Sequence, residues 1–226
     1  MAALEVVSSA EGAEGAARFF KTGPGEYGEG DVFIGVSMPD ARKVAKRYLD
    51  LPRDELDALL WSDVHEHRMA ALLIMTMQPL TQALVDDYLA AAHAERVNNW
   101  DLVDASAEYI LGRWLIDKPR NLLFSLAKSD LLWERRIAIV ATLHFVRNGD
   151  DSTTLEIAEK LVREKHDLIQ KAVGWLLREV GKKVSQRHLE QFLDRNAGRM
   201  PRTMLSYATE HLEPDARLHY RQVARS

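Results

Sequence analysis

The sequence predicts an all-α chain, an α-α superhelix built from stacked helix pairs, and three observations predict it. Apolar residues recur at helical spacing with polar residues between them, and almost no segment alternates with period two. Short polar or proline-bearing linkers separate these segments, which favours antiparallel neighbours. An anchor residue followed by a small and then aliphatic helical face returns every 31–36 residues.

The elements follow in order. Residues 1–38 read as an N-terminal helix and a glycine-rich loop, with glycines at 23, 25, 28, 30 and 35. Pro39 sits at the first helical position and opens a helix through Tyr48, and Pro52 opens the next through Leu56, Leu59 and Leu60. Further helices are expected over roughly 64–77, 80–95, 100–117, 119–128, 131–147, 152–164, 167–181, 185–195, 200–211 and 214–223. Arg147-Asn148-Gly149-Asp150 is one of the short linkers between them. Residues 39–223 are therefore read as stacked helix pairs, and 1–226 as one domain.

The repeated frame is carried by Arg68-Met69-Ala70-Ala71-Leu72-Leu73, Arg136-Ile137-Ala138-Ile139-Val140, Lys171-Ala172-Val173-Gly174-Trp175-Leu176 and Arg202-Thr203-Met204-Leu205-Ser206-Tyr207, with Asp104-Ala105-Ser106-Ala107 fitting the same pattern. The anchors at 68, 104, 136, 171 and 202 are separated by 36, 32, 35 and 31 residues, a length that suits a solenoid of HEAT- or TPR-like helix pairs. Stacking such pairs places one helix of each on a common concave wall, where the anchors would form a row. That row is basic except at Asp104. A lone carboxylate among cations is a poor phosphate holder, but it suits a place where positive charge appears.

Trp100 and Asp104 are one helical turn apart, so both can act on one bound object. An indole face and a carboxylate together favour a cationic guest. Taken alone, the pair reads first as a packed Trp in a helix interface with Asp104 turned to water.

Composition narrows the classes. The chain has no Cys, which excludes disulfides, a thiolate nucleophile and cysteine metal sites. No apolar run reaches the roughly 20 residues of a membrane span, and Met1-Ala2-Ala3-Leu4-Glu5 lacks a basic signal region, so the expected location is cytoplasmic with no membrane partner. The net charge of −4 is unevenly spread: residues 1–112 carry 9 Lys and Arg against 19 Asp and Glu, and residues 113–226 carry 21 against 15. A basic half can supply a phosphate-binding field despite the acidic total.

Three motifs in order make the chain resemble the AlkD-type DNA alkylation repair glycosylases, a family built from HEAT-like repeats. They are Trp100-Asp101-Leu102-Val103-Asp104, Trp133-Glu134-Arg135-Arg136-Ile137-Ala138-Ile139 and Ile169-Gln170-Lys171-Ala172-Val173-Gly174-Trp175-Leu176-Leu177-Arg178-Glu179. The segment Phe19-Phe20-Lys21-Thr22-Gly23-Pro24-Gly25-Glu26-Tyr27-Gly28 is similar to the entry segment of a large branch of the family. The resemblance implies hydrolysis of the N-glycosidic bond of cationic alkylpurines, chiefly 7-methylguanine and 3-methyladenine. The substrate is double-stranded DNA held in a concave DNA-binding groove without base flipping. It also implies Asp104 as catalytic carboxylate, Trp100 and Trp175 as aromatic walls and Arg136 as the basic partner. No cofactor or metal is expected, and a solenoid with polar ends can act as a monomer.

The chemistry fits these residues. A cationic base leaves neutral and needs no protonation, and the deoxyribose left behind develops oxocarbenium-like charge that a fixed carboxylate stabilises. Phosphate contacts are expected from Lys171, Arg178, Arg202, Arg68, Lys182 and Lys183, and from Tyr27 in the glycine-rich segment.

Other candidates are weaker. The glycine-rich segment lacks the Gly-Lys-Ser/Thr of a phosphate loop and reads as a flexible connection from which Lys21 and Tyr27 can reach DNA. His65-Glu66-His67 has the wrong spacing for a metal site on a helix. Trp61, Trp114 and Trp133 fall on apolar stretches and are expected in the core. Arg187 and His188 sit with Lys182 and Lys183 near a helix junction, on a face that is either DNA-binding or simply solvated. Two other functions stay open: a catalytically silent relative that binds DNA structures, and a protein-interaction scaffold. A carboxylate between two Trp residues favours the enzyme.

Overall fold

The computed structural model describes residues 1–223, and the chain divides into two compact units, Met1–Ser106 and Ala107–Ser226. The fold is all-α; among the described residues the sole β feature is an isolated parallel bridge between Val32 and Val64. No described helix is long and apolar enough to cross a membrane.

The first unit is organised around α5 (His65–Met77), which is buried from His65 through Met75. Its run Met69-Ala70-Ala71-Leu72-Leu73-Ile74-Met75 is apolar on every side, the pattern of a helix enclosed by neighbours. α3 (Met38–Arg47) and α4 (Arg53–Leu60) pack against it through one buried face each, Ala41, Val44 and Ala45 on α3 and Leu56, Leu59 and Leu60 on α4. α6 (Gln82–His93) starts at a Thr81 side chain that accepts from the Leu84 N–H, and buries Leu84, Val85, Tyr88, Ala91 and Ala92. Ahead of these lie α1 (Ala2–Glu5), which meets α3, and α2 (Ala10–Phe19), capped by Ser9.

The glycine-rich segment is pinned at its end. The backbone N–H groups of Ile34, Gly35 and Val36 donate to the Glu66 carboxylate at 3.0, 2.8 and 3.1 Å, so this small anion-binding concavity is filled from within. Gly35 has φ +80°, and a Cβ there would lie 2.0 Å from the Ser9 carbonyl oxygen, so the residue must be glycine.

α7 (Trp100–Ala107) runs on into a π-helical stretch, Glu108–Gly112, where the sequence predicts an uninterrupted α-helix.

The second unit is built on α9 (Leu132–Ala141) and α12 (Asp167–Lys183), which pack together. α12 also meets α10 (Leu143–Arg147), α11 (Ser152–Lys160), α13 (Gln186–Asn196) and α14 (Arg202–Ala208). α8 (Asn121–Leu126) covers α9, and α15 (Pro214–Val223) meets the short 3-10 turn Ala197–Arg199. A Cβ at Gly174 would sit 2.4 Å from the Met204 carbonyl oxygen; the missing side chain is what lets α12 and α14 approach. The helix expected over 131–147 is broken at Thr142, whose buried hydroxyl donates back to the Ile139 carbonyl at 2.6 Å. Such back-bonding competes with the helical ladder and bends it.

Three of the central helices start alike. Arg68 Nη1 donates to the carbonyls of Ser62 and Asp63, Arg135 Nη1 to those of Ser129 and Asp130, and Gln170 Nε2 to those of Glu164 and Lys165. Each donor reaches back six and five residues and ties the entering turn to its helix. The repeat is therefore real, but its register differs by one residue from the expected row: Arg68 corresponds to Arg135 and Gln170, not to Arg136 and Lys171. Asp104, Arg136 and Lys171 do share a register, each four residues past the first residue of its helix. Arg202 is itself the first residue of α14 and stands a turn out of that register.

Candidate functional site

The first unit presents Trp100 and Asp104 from α7. The helix begins with local side-chain acceptors: Asn99 Oδ1 takes the Trp100 N–H and Asp101 Oδ1 the Leu102 N–H, both at 2.8 Å. Trp100 is half-buried. Its ring meets Phe20 at 5.3 Å and the edge of Phe19 at 5.8 Å and 69°, and its indole N–H donates to the Tyr27 hydroxyl at 3.3 Å. Asp104 is also half-buried, one turn on. Behind it, burial pushes the Tyr88 phenol up, and the Asp104 charge adds to that rise. Ser106 joins this layer, donating to the Leu102 carbonyl at 2.6 Å and lying 3.1 Å from the Tyr88 hydroxyl.

Beneath α7 lies a buried ionic chain that sequence reasoning missed. Arg68 pairs with Asp31; Asp31 Oδ2 meets His65 Nδ1 at 2.8 Å; His65 Nε2 meets Asp101 Oδ2 at 2.9 Å. Burial alone would lower the His65 pKa, but its hydrogen bonds to Asp101 and Asp31 outweigh that and raise it to about 9. Burial would likewise raise Asp31, yet His65 and Arg68 hold its carboxyl below the usual range. Asp101 lay inside the motif that drew attention, and His65 was weighed only as a metal ligand. The signal, an acid beside Trp100 and a histidine opening α5, becomes visible only when the fold brings 31, 65 and 101 together. His67 turns elsewhere, to the Ser62 hydroxyl at 2.9 Å, so the three residues 65–67 serve three different partners.

This chain corrects one expected DNA contact. Arg68 is 1% exposed and its guanidinium is committed to Asp31, Asn98 and two carbonyls, so it holds the fold and does not face a phosphate. Tyr27 stays half-buried with its hydroxyl against Trp100, while Lys21 reaches over its ring at 5.9 Å. Trp61, expected in the core, is 45% exposed at the end of α4, whereas Trp133 is buried and Trp114 half-buried under Lys118.

In the second unit Lys171, Trp175, Arg178 and Lys182 form one stripe along α12, at spacings of four, three and four, and none of the four is buried. Lys171 Nζ pairs with Asp167 at 2.8 Å; Arg178 pairs with Glu210 and with Glu179 at 3.3 Å. Lys183 lies 3.8 Å from Glu179, Lys182 and Arg187 are exposed, and Arg202 is exposed at the start of α14. His188 Nδ1 binds Asp151 at 2.7 Å. Arg136 is buried, 5% exposed, and donates to the Leu168 carbonyl in the first turn of α12 at 2.5 Å. A side chain so placed ties α9 to the first turn of α12. Glu108, in the π-helical stretch, is buried and paired with Arg147 at 2.8 Å; burial raises its carboxyl, and Arg147 and Lys183 offset part of that. Trp100 and Asp104 thus belong to the first unit, Arg136, Trp175 and the basic stripe to the second.

Comparison with known proteins now bears on this arrangement. A family model described as "DNA alkylation repair enzyme" matches residues 1–212. No curated protein matches the chain. Among solved structures, one from Enterococcus faecalis described as a predicted DNA alkylation repair enzyme superposes with TM-score 0.73 over 92% of this chain and 97% of its own, at 18% identity. That likeness is one of fold.

Proposed function

Because the chain belongs to the DNA alkylation repair enzyme family, we propose that it is a monofunctional DNA glycosylase of cationic N-alkylpurines, 7-methylguanine and 3-methyladenine, in double-stranded DNA. The observation that carries this reading is the α7 turn: a half-buried indole and a half-buried carboxylate on one face, with Tyr27, Phe19 and Phe20 against the indole. In this reading Asp104 stabilises the oxocarbenium-like charge that develops on the deoxyribose and orients the attacking water. Trp100 contributes cation–π attraction of roughly 0.5–2 kcal/mol, according to how far the contact is desolvated. The base is already cationic and departs neutral, so no general acid is required and no base-flipping pocket is invoked.

The second unit contributes DNA binding. Trp175 is the aromatic it offers, and Lys171, Arg178, Lys182, Lys183 and Arg202 contact phosphates, which fix register without reading sequence. Three of these cations, Arg178, Lys171 and Lys183, are paired with acids in the free protein, so DNA competes with Glu210, Asp167 and Glu179 for them.

The deciding experiment is incubation with a duplex carrying one 7-methylguanine, followed by detection of free base and of the abasic site. Release by the wild-type chain, lost in Asp104→Asn with DNA affinity retained, supports the reading. Equal single-turnover release by both proteins removes Asp104 from the mechanism, and no release by either leaves DNA binding without glycosylase activity.

A further inference from the structure

We propose that His65 is a positioning residue for the α7 turn that carries Trp100 and Asp104: by bridging Asp31 and Asp101 it ties that turn to the glycine-rich segment and fixes how both side chains emerge. This rests on the assignment of Trp100 and Asp104 made above.

The geometry requires a charged ring. Both nitrogens face carboxylate oxygens, at 2.8 and 2.9 Å, and a carboxylate only accepts. A neutral imidazole donates from one nitrogen alone and would turn a lone pair on the other carboxylate. The bridge therefore exists as an imidazolium between two anions, and losing its proton breaks one of the two links. The ring plane is held as well, stacked with Phe33 at 4.5 Å and with Phe20 at 5.3 Å, and Phe20 in turn touches Trp100.

Packing around this turn is incomplete on one side. A cavity of about 260 Å³ lies against it, lined by Phe20, Phe33, Met69, His65, Trp100 and Asp101 among others. Unfilled volume beside a helix start leaves room for the turn to shift. On the Asp101 side the restraint from outside the helix is the link from Asp101 Oδ2 to His65, since Asp101 Oδ1 serves only its own helix, while Trp100 is held by the Tyr27 hydroxyl. The charged groups around the ring are Asp31 from the glycine-rich segment, Asp101 from α7, and Glu66 and Arg68 from α5. Glu66 is turned to the N–H groups of 34–36, and Arg68 balances Asp31.

The sign of the pH effect follows. The folded-state pKa, about 9, lies above the ordinary histidine value of 6.5, so the bridge is complete below 6.5 and is lost as pH rises through about 9. Two readouts on the full chain test it. The first is the pH dependence of 7-methylguanine release at saturating DNA in a single turnover. The second is the fluorine NMR resonance of Trp100 in protein carrying fluorotryptophan, assigned with Trp100→Phe.

In the wild-type chain release should fall about tenfold above pH 9, and the Trp100 resonance should move with the same midpoint. Asp101→Asn keeps the oxygen that accepts from Leu102 but removes one anion, so both midpoints should drop by about one pH unit or more. His65→Gln should lower the maximal rate about tenfold with its DNA affinity retained. A Trp100 resonance that is flat to pH 10, or a midpoint unmoved in Asp101→Asn, overturns the proposal even if the His65 variant misfolds. A resonance that moves as described without any base release upholds the positioning of the turn and refutes the glycosylase assignment instead.

Discussion

In the first unit Arg68 ties the turn Ser62-Asp63 to α5, and in the second Arg135 ties the turn Ser129-Asp130 to α9, through the same pair of carbonyl acceptors. The remaining guanidinium nitrogens do different things. Arg68 is enclosed and continues into Asp31, His65 and Asp101, ending under the α7 turn. Arg135 meets Glu164 at 2.8 Å in a pair that keeps some solvent contact, and the chain of charges stops there. The units differ likewise in net charge: 9 Lys and Arg against 18 Asp and Glu in the first, 21 against 16 in the second. One repeat device thus serves two ends. In the acidic unit it is extended into a buried network beneath the turn that carries Trp100 and Asp104, and in the basic unit it only supports α9 while the basic stripe stands on α12.

The comparison can be broken by substitution. The largest effect is expected from Arg68→Ala, which leaves the buried Asp31 with His65 to share with Asp101; losing one partner of a buried pair costs about 3–5 kcal/mol. Thermal unfolding by circular dichroism reads this, and a cost near that of a surface substitution would show the network to be dispensable. Asp104→Asn comes next, with base release slowed about 100-fold, equivalent to ~2.7 kcal/mol of transition-state stabilisation, and an unchanged melting temperature. Arg135→Ala should destabilise by roughly 1.5–3 kcal/mol, because its acid is partly solvated and its loss leaves less uncompensated charge. If Arg135→Ala proves as costly as Arg68→Ala, the two units do not differ in the way described. The smallest effect belongs to Lys182→Ala, exposed on the α12 stripe: DNA affinity should weaken a few-fold, and the slope of log K against log salt should flatten by about 1. An equal flattening in Arg68→Ala, measured below its melting temperature, would return Arg68 to the DNA-contacting set.

Much of this was legible in the sequence. The helices α3 to α15 fall close to the apolar runs that predict them, because burying one face of a helix demands apolar residues every three or four positions. The break at Thr142 escaped notice because it depends on one hydroxyl choosing the Ile139 carbonyl over water. The pair Trp100 and Asp104 was visible for the same reason as the helices, being a single turn. The stripe from Lys171 to Lys182 was visible only in part, as its members lie on one helix but Glu210, which holds Arg178, comes from beyond α14. The row of anchors slipped by one at Arg68, since spacing alone cannot tell an arginine that caps its own entry turn from one that faces outward.

The sequence by itself therefore determined what depends on neighbours along the chain: helix positions, the approximate repeat length, the shared face of Trp100 and Asp104, and the contrast between an acidic and a basic half. Only the tertiary structure decided what depends on residues brought together from afar. It buried Arg68 and Arg136, filled the glycine-rich concavity with Glu66, and set His65 between Asp31 and Asp101. The physical reason is that periodicity records which side of a helix is dry, whereas the state of a charge is set by the partners and solvent that folding places around it.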